Sequence, residues 1–195
     1  SLDSELLRPP LSAEQLRYCR EALEFYKNKR FNSPQAIRHE FQIMQANRLM
    51  AWDMKNLCTV ARHNQNLSKN RYSDIVPFDS NRVVLKQSSD YRSSAKGYIN
   101  ASFVKSSESV TQFIATQGPL PHTCEDFWEM IIQYRCPAIV MLTRLVDSYR
   151  AEKCADYFQA ENGPRSYGGI CITTKWMHKT SSSLILRCLE VKYKE

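Results

Sequence analysis

The chain has 195 residues, 43% of them hydrophobic and 24% charged, the balance of a water-soluble globular chain with enough apolar side chains to build a core. No apolar run approaches the roughly 18 residues of a membrane-spanning helix, and the start, Ser1-Leu2-Asp3-Ser4-Glu5, lacks the basic-then-apolar layout of a secretory signal. The formal charge of +7 favours acidic partners in general, but no block of Lys and Arg marks out nucleic acid or a membrane surface.

The opening segment reads as helical. Ser12 stands at the capping-box offset from Gln15, and Leu16, Cys19, Leu23 and Tyr26 follow at helical spacing. A second helix starts at Ser33-Pro34, a cap followed by proline at the first helical position, and carries Ile37, Phe41 and Met44, with Leu49 and Trp52 continuing the stripe. Both stripes are expected to be core. After Asn64 the texture changes to strands and turns: Tyr72 to Val76, a turn over Pro77-Phe78-Asp79-Ser80-Asn81, then Arg82 to Leu85, Tyr98 to Val104 and Gln112 to Thr116. Thr123-x-x-Asp126 is a capping-box pattern opening an apolar helix with Phe127, Met130, Ile131 and Tyr134. Pro137-Ala138-Ile139-Val140-Met141-Leu142 reads as a strand buried on both faces. Two more strands are expected near Ile170 to Trp176 and Leu184 to Tyr193, with Ser181-Ser182-Ser183 as the turn between them. This order predicts an α+β fold on a mixed or antiparallel sheet.

The seven cysteines (Cys19, Cys58, Cys124, Cys136, Cys154, Cys171, Cys188) are scattered, with no Cys-x-x-Cys pair and no histidine at zinc-ligand spacing. They are expected to be reduced thiols packed as small apolar residues, in an intracellular protein without metal or cofactor.

Several stretches, taken in order, resemble the tyrosine-specific protein phosphatases. They are Lys69-Asn70-Arg71-Tyr72-Ser73-Asp74-Ile75-Val76-Pro77-Phe78-Asp79, Tyr98-Ile99-Asn100-Ala101-Ser102, Ala115-Thr116-Gln117-Gly118-Pro119-Leu120-Pro121 with Asp126-Phe127-Trp128, and Ile139-Val140-Met141-Leu142-Thr143-Arg144 followed by Lys153-Cys154-Ala155-Asp156-Tyr157. The wording of the Pro119 to Met130 segment is most similar to the small cytosolic plant members. The resemblance implies a helical leader over residues 1–32 and, over 33–195, the N-terminal portion of a phosphatase domain. Its fold would place N-terminal helices on a highly twisted mixed sheet, as an incomplete phosphotyrosine phosphatase fold.

Residue roles follow from the resemblance alone. Tyr72 matches the tyrosine lining the family's deep phosphotyrosine slot, which selects its substrate by reach and ring stacking. Asp74 matches the carboxylate that accepts hydrogen bonds from substrate backbone amides, and Ser73 stands where the neighbouring peptide side chain would be sensed. Without that context, a tyrosine at a strand end packs and an aspartate beside it forms a turn. Asp147 replaces the usual glutamate of the family's acidic loop, with one extra residue before Lys153, the lysine that approaches the acid-bearing loop. Asn100, Thr116 and Gln117 are expected to bond buried backbone, and Phe127 and Trp128 to pack the helix on the sheet.

The family's chemistry needs a thiolate in a loop of inward-pointing amides, with an arginine six residues later. None of the seven cysteines is followed by Arg at that spacing, and no Trp-Pro-Asp supplies the general acid. The expectation is a portion truncated before both elements, inactive alone, whose complete form cleaves phosphotyrosine through a cysteinyl phosphate. Its partners would be cytoplasmic, and also nuclear, phosphotyrosine proteins, with neither nucleic acid nor membrane among them and the oligomeric state left open. Two other readings stand beside it: a non-catalytic phosphopeptide-binding or dominant-negative fragment, and, from charge alone, a nucleic-acid-binding domain.

Overall fold

The computed structural model describes residues 12–48, 50–86, 97–107, 110–160, 162–181 and 184–194. The chain divides into two compact units, Ser1–Met50 and Ala51–Glu195. In the first, Ser12 and Gln15 form the expected reciprocal cap, opening helix α1 (Ala13–Asn32). Pro34 occupies the first turn of α2 (Pro34–Ala46), although Ser33 makes no side-chain cap bond. Lys29 pairs with Glu40 at 2.6 Å across the two helices. The apolar stripes are not core: neither helix has a buried residue, and Leu23, Tyr26, Phe41 and Met44 stay exposed. Two helices cover only the strip each turns to the other, and among the described residues this unit has no third element for the rest. Nor does the second stripe run on into Trp52, since α2 stops at Ala46 and Trp52 lies exposed on a separate helix, α3 (Ala51–Leu57). Leu49 falls outside the described residues.

In the second unit, α3 leads to a 3-10 turn over Asn64–Lys69 and then to strand β1 (Arg82–Val84). Strand β1 pairs antiparallel with β2 (Tyr98–Ser107), which pairs with β3 (Val110–Thr116). After a 3-10 turn, Pro121–Thr123, comes helix α4 (Cys124–Gln133), followed by a second antiparallel sheet of β4 (Arg165–Tyr167), β5 (Ile170–Lys179) and β6 (Ile185–Tyr193). The α+β expectation holds, and every ladder between the described strands is antiparallel. Ser182 and Ser183 of the expected hairpin turn lie outside the described residues, while Thr180 and Leu184 close around them through an amide-carbonyl bond of 2.8 Å.

Helix α4 is the common floor of the two sheets. Phe127, Trp128 and Met130 form one buried cluster with Val83, Leu85, Ile99 and Ala101 from the first sheet and with Ile170 and Ile172 from the second. Leu189 and Val191 of β6, two residues apart and so on one face of the strand, pack onto the same cluster. The indole N–H of Trp128 is buried and donates to the Tyr157 carbonyl at 3.0 Å. At the far end of α4 the Gln133 amide ties down the chain just beyond β1, accepting from the Lys86 N–H at 2.8 Å and donating to the Lys86 carbonyl at 3.1 Å.

Three local expectations give way to tertiary contacts. The 72–76 segment is a turn and not a strand, because the Asn100 side-chain amide takes the Ile75 carbonyl that a ladder would need. Residues 137–142 form no strand either: no described strand lies beside them to complete a ladder, and Val140 and Leu142 are 78% and 93% exposed. The Thr123 capping box does not form, since the Thr123 hydroxyl accepts from the Leu120 N–H at 2.9 Å and the Asp126 carboxylate turns to Lys69.

All seven cysteines are free thiols, but they differ in setting: Cys58, Cys124 and Cys154 are buried, Cys136, Cys171 and Cys188 half-buried, and Cys19 exposed. Burial pushes the Cys124 thiol up to about 11 and raises Cys58 and Cys154 as well. In a maleimide time course at neutral pH, Cys19 should therefore label first and these three last. Early labelling of Cys124 in the folded protein would contradict this packing.

Candidate functional site

Strand β2 divides its side chains by the two-residue period of a strand. Ile99 and Ala101 enter the core over α4, whereas Tyr98 and Asn100 face the 66–75 segment. There they meet Asn70. Its side-chain oxygen accepts from the Tyr98 hydroxyl at 2.5 Å and from the Asn100 amide at 3.1 Å, and its own amide donates to the carbonyls of Ala61 and Asn66. Burial raises the Tyr98 phenol well above its ordinary range, so it stays a donor at any physiological pH.

The residues on either side of Asn70 are also tied down. Lys69 reaches α4, where its ammonium lies 3.0 Å from Asp126; both side chains are largely buried, so each charge depends on the other. Gln117 bridges the same stretch, donating to the Lys69 carbonyl and accepting from the Arg71 N–H, both at 2.8 Å. Thr116 donates to the Asn100 carbonyl at 2.9 Å. The scaffold roles expected for Asn100, Thr116 and Gln117 are thus seen directly.

With three successive side chains held inward, the chain turns outward at Tyr72, which is 44% exposed, and Ser73 and Asp74 follow it on the surface. The Lys153 ammonium lies over the Tyr72 ring, 5.6 Å from its centroid, and donates to the hydroxyl at 3.1 Å. That bond is the first cause of a raised Lys153 pKa, with the Asp147 carboxylate, 3.5 Å from the ammonium, adding to it. Tyr72, Lys153 and Asp147 are therefore brought together.

Asp147 has a second occupation. Its Oδ1 accepts from the N–H groups of Tyr149 and Ala151, both at 2.9 Å, and the backbone closes the same loop through Asp147 N–H to Ala151 carbonyl at 3.0 Å. Arg150 adopts a left-handed conformation at the tip, φ 63°, and Val146 bridges Glu152 at the base. The carboxylate thus shapes its own loop while its other oxygen faces Lys153. The Ala151 N–H first, then the Tyr149 N–H and the Lys153 charge, hold its pKa below the usual carboxylate range against some desolvation.

Gly118 explains how that loop can lie so close to the Gln117 turn. A Cβ built there would stand 2.5 Å from the Lys153 carbonyl oxygen and 3.0 Å from the Cys154 Cβ. Arg71 and Glu152 are the residues of this region whose part the sequence did not disclose. The Arg71 side chain is 8% exposed and donates to the carbonyls of Gly118, Pro119 and Glu152 at 3.1, 2.7 and 3.0 Å. The sequence signal was an arginine just before Tyr72, inside a motif whose neighbours turn inward.

The site offers an aromatic wall, a cation and exposed carboxylates. Burial raises the pKa of Cys58, Cys124, Cys136 and Cys154, the opposite of what a thiolate requires. Among the described residues no three His, Cys, Asp or Glu side chains converge to hold a metal, and no helix is long and apolar enough to cross a membrane. A cleft of about 410 Å3 beside Cys124, Cys154, Asp156 and Arg165 includes neither Tyr72 nor Lys153 in its lining.

Two measurements test this geometry. Because the Asp147 pKa is depressed, its contribution to the loop is present above the unfolded value and lost as pH falls through the folded one. The Tyr149 and Ala151 amide resonances should therefore stay constant at mildly acidic pH and shift together only below the usual carboxylate range; a transition within or above that range would contradict the hydrogen bonds. Gly118→Ala should destabilise the protein by about 1–3 kcal/mol in urea denaturation, because the atom it meets is backbone and cannot rotate away.

Comparison with known proteins identifies the scaffold. Residues 66–195 match the family model described as Protein-tyrosine phosphatase. The chain is 56% identical over 197 aligned residues to Protein-tyrosine-phosphatase PTP1 of Arabidopsis thaliana, covering all of this chain and 57% of that protein. It is 32% identical over 179 residues to mouse Tyrosine-protein phosphatase non-receptor type 18, covering 90% of this chain and 38% of that one. The fold superposes with a TM-score of 0.71 on a solved structure of PTPN18 in complex with HER2-pY1196 phosphopeptides, at 30% identity over 90% of this chain and 60% of that chain. The chain therefore spans 57% of the length of the Arabidopsis relative. A family model that takes in the Asn70-Arg71-Tyr72 turn, both sheets and the Lys153 loop leaves one assignment: the chain belongs to the protein-tyrosine phosphatase family.

Proposed function

We propose that this chain carries the phosphotyrosine-recognition face of a protein tyrosine phosphatase acting in cytoplasmic, and also nuclear, signalling. The full-length protein would hydrolyse phosphotyrosine in other proteins. The observation that carries the reading is the Tyr72 ring, exposed beside Lys153 on a turn whose three preceding side chains are all fixed inward. A ring held in place on one side of a slot stacks on a substrate ring without losing rotamer entropy on binding. Asp74 would take the peptide backbone amides and Ser73 would lie under the neighbouring residue. Residues 33–195 would make up the domain portion and 1–32 a leader. The PTPN18 structure holds phosphotyrosine peptides, which supports a phosphoprotein partner for a chain of the same fold.

Hydrolysis is assigned to the full-length protein and not to these 195 residues alone. They contain no cysteine followed six residues later by arginine, and no Trp-Pro-Asp. A phosphoryl group in transfer needs preorganised donors around its oxygens, and neither the buried thiols nor Lys153 supply such a cradle. That absence favours one second reading, a non-catalytic phosphopeptide-binding or dominant-negative fragment.

In the full-length protein, Tyr72→Ala should raise KM for a phosphotyrosine peptide by about tenfold, the equivalent of a lost ring stack of about 1.4 kcal/mol. An unchanged KM would remove Tyr72 from the site. The 195-residue polypeptide should show no hydrolysis of the same peptide, and thiolate-dependent turnover by it would overturn the division proposed here. Saturable, phosphate-dependent binding by that polypeptide, abolished by Tyr72→Ala, would favour the second reading.

A further inference from the structure

Tyr72 and Lys153 stand 81 positions apart in the chain, yet their side chains meet at 3.1 Å. Something must set that distance, and the residue before each of them does so. Arg71 precedes Tyr72, Glu152 precedes Lys153, and the Arg71 guanidinium donates to the Glu152 carbonyl at 3.0 Å, with the Glu152 carboxylate a further 3.5 Å contact. The same planar group donates through Nε to Gly118 and through Nη2 to Pro119, at 3.1 and 2.7 Å, while the Arg71 N–H is held by Gln117 at 2.8 Å. The Ala155 N–H donates in turn to the Pro119 carbonyl at 2.8 Å, so the 117–119 turn grips both segments.

We infer that Arg71 is a positioning residue of the phosphotyrosine site: it sets the register between the Tyr72 turn and the Lys153 loop, and so the width of the slot wall that those two side chains form. This deepens, and rests on, the reading of Tyr72 as substrate-facing. Three carbonyls from two separate segments lie around one guanidinium, and a fixed planar fork addresses them together. An ammonium at this position would satisfy one or two of them from a flexible stem and leave the two segments free to shift. The hydrogen bonds of the side chain go to Gly118, Pro119 and Glu152 and not to Tyr72, so it acts on the ring through its neighbours. Glu152 closes the outer end of the clamp, and its side chain is half exposed.

The test uses the full-length protein with Arg71→Lys and Glu152→Ala, the second at an exposed end where folding is not at stake. One readout is the acylation rate of the Lys153 amine by a water-soluble activated ester, resolved by mass spectrometry and normalised to exposed Lys86. The other is kcat and KM on a phosphotyrosine peptide. Arg71→Lys should speed Lys153 acylation by about threefold and raise KM by about fivefold while kcat stays within about twofold, the pattern of a lost ground-state contact. Glu152→Ala should move both readouts in the same direction by a smaller factor, about twofold. Wild-type acylation and KM in both variants would overturn the inference; should Arg71→Lys fail to fold, the Glu152→Ala result decides alone. Faster acylation with unchanged KM would leave the clamp standing and overturn the substrate-facing reading of Tyr72, whereas an unchanged clamp readout alongside a KM defect in Tyr72→Ala would do the reverse.

Discussion

Lys69, Asn70 and Arg71 are three strongly polar side chains in succession, all drawn into the domain, and a polar group withdrawn from water without a partner costs on the order of 1–3 kcal/mol, more if charged. The second unit is organised around meeting that demand. Lys69 is answered by Asp126 on α4, Asn70 by Tyr98 and Asn100 on β2, and Arg71 by carbonyls of the 118–119 turn and of Glu152. Each partner belongs to a different element, so a run of three residues gathers helix, sheet and loop. The residue that follows, Tyr72, inherits a backbone that cannot move independently of any of them.

This arrangement separates what holds the site from what faces outward. Apolar burial does its work on the opposite side of β2, where Ile99 and Ala101 join Phe127, Trp128 and the two isoleucines of β5. The polar face of the same strand is left to orient the 66–75 segment. A strand is suited to this because its side chains alternate strictly, and the two tasks never compete for one position. The Lys153 loop is positioned by a further device, the Asp147 carboxylate folding its own tip, so that Lys153 and Tyr72 approach each other from two separately stiffened segments.

The chemistry follows the same division. The outward face holds a fixed ring, a cation and hydrogen-bond acceptors. A phosphoryl-transfer centre needs a thiolate within a cradle of donors, and the buried thiols of this chain are instead pushed toward the neutral form by their apolar surroundings. Those cysteines serve the core. What these residues contribute is geometry, a set of side chains held in fixed relation by separate elements.

Much of this was legible from the residues alone where a local rule and the tertiary environment agree. The Ser12 cap, the helix carrying Phe127 and Trp128 and the strand running from Leu184 to Tyr193 were all expected. The expectations that failed share one cause, since each depended on a partner elsewhere in the chain. Pro137 to Leu142 has the composition of a buried strand but no described strand beside it, and the stripes of α1 and α2 find no third element among the described residues of their own unit. Asp126 has the spacing of a cap but a stronger claim from Lys69. Periodicity and capping are written within a few residues and can be read there. Whether a face is covered, which carbonyls a guanidinium such as Arg71 will meet, and how closely two distant segments approach are set only when the chain closes on itself, because those energies belong to pairs of residues and not to either one.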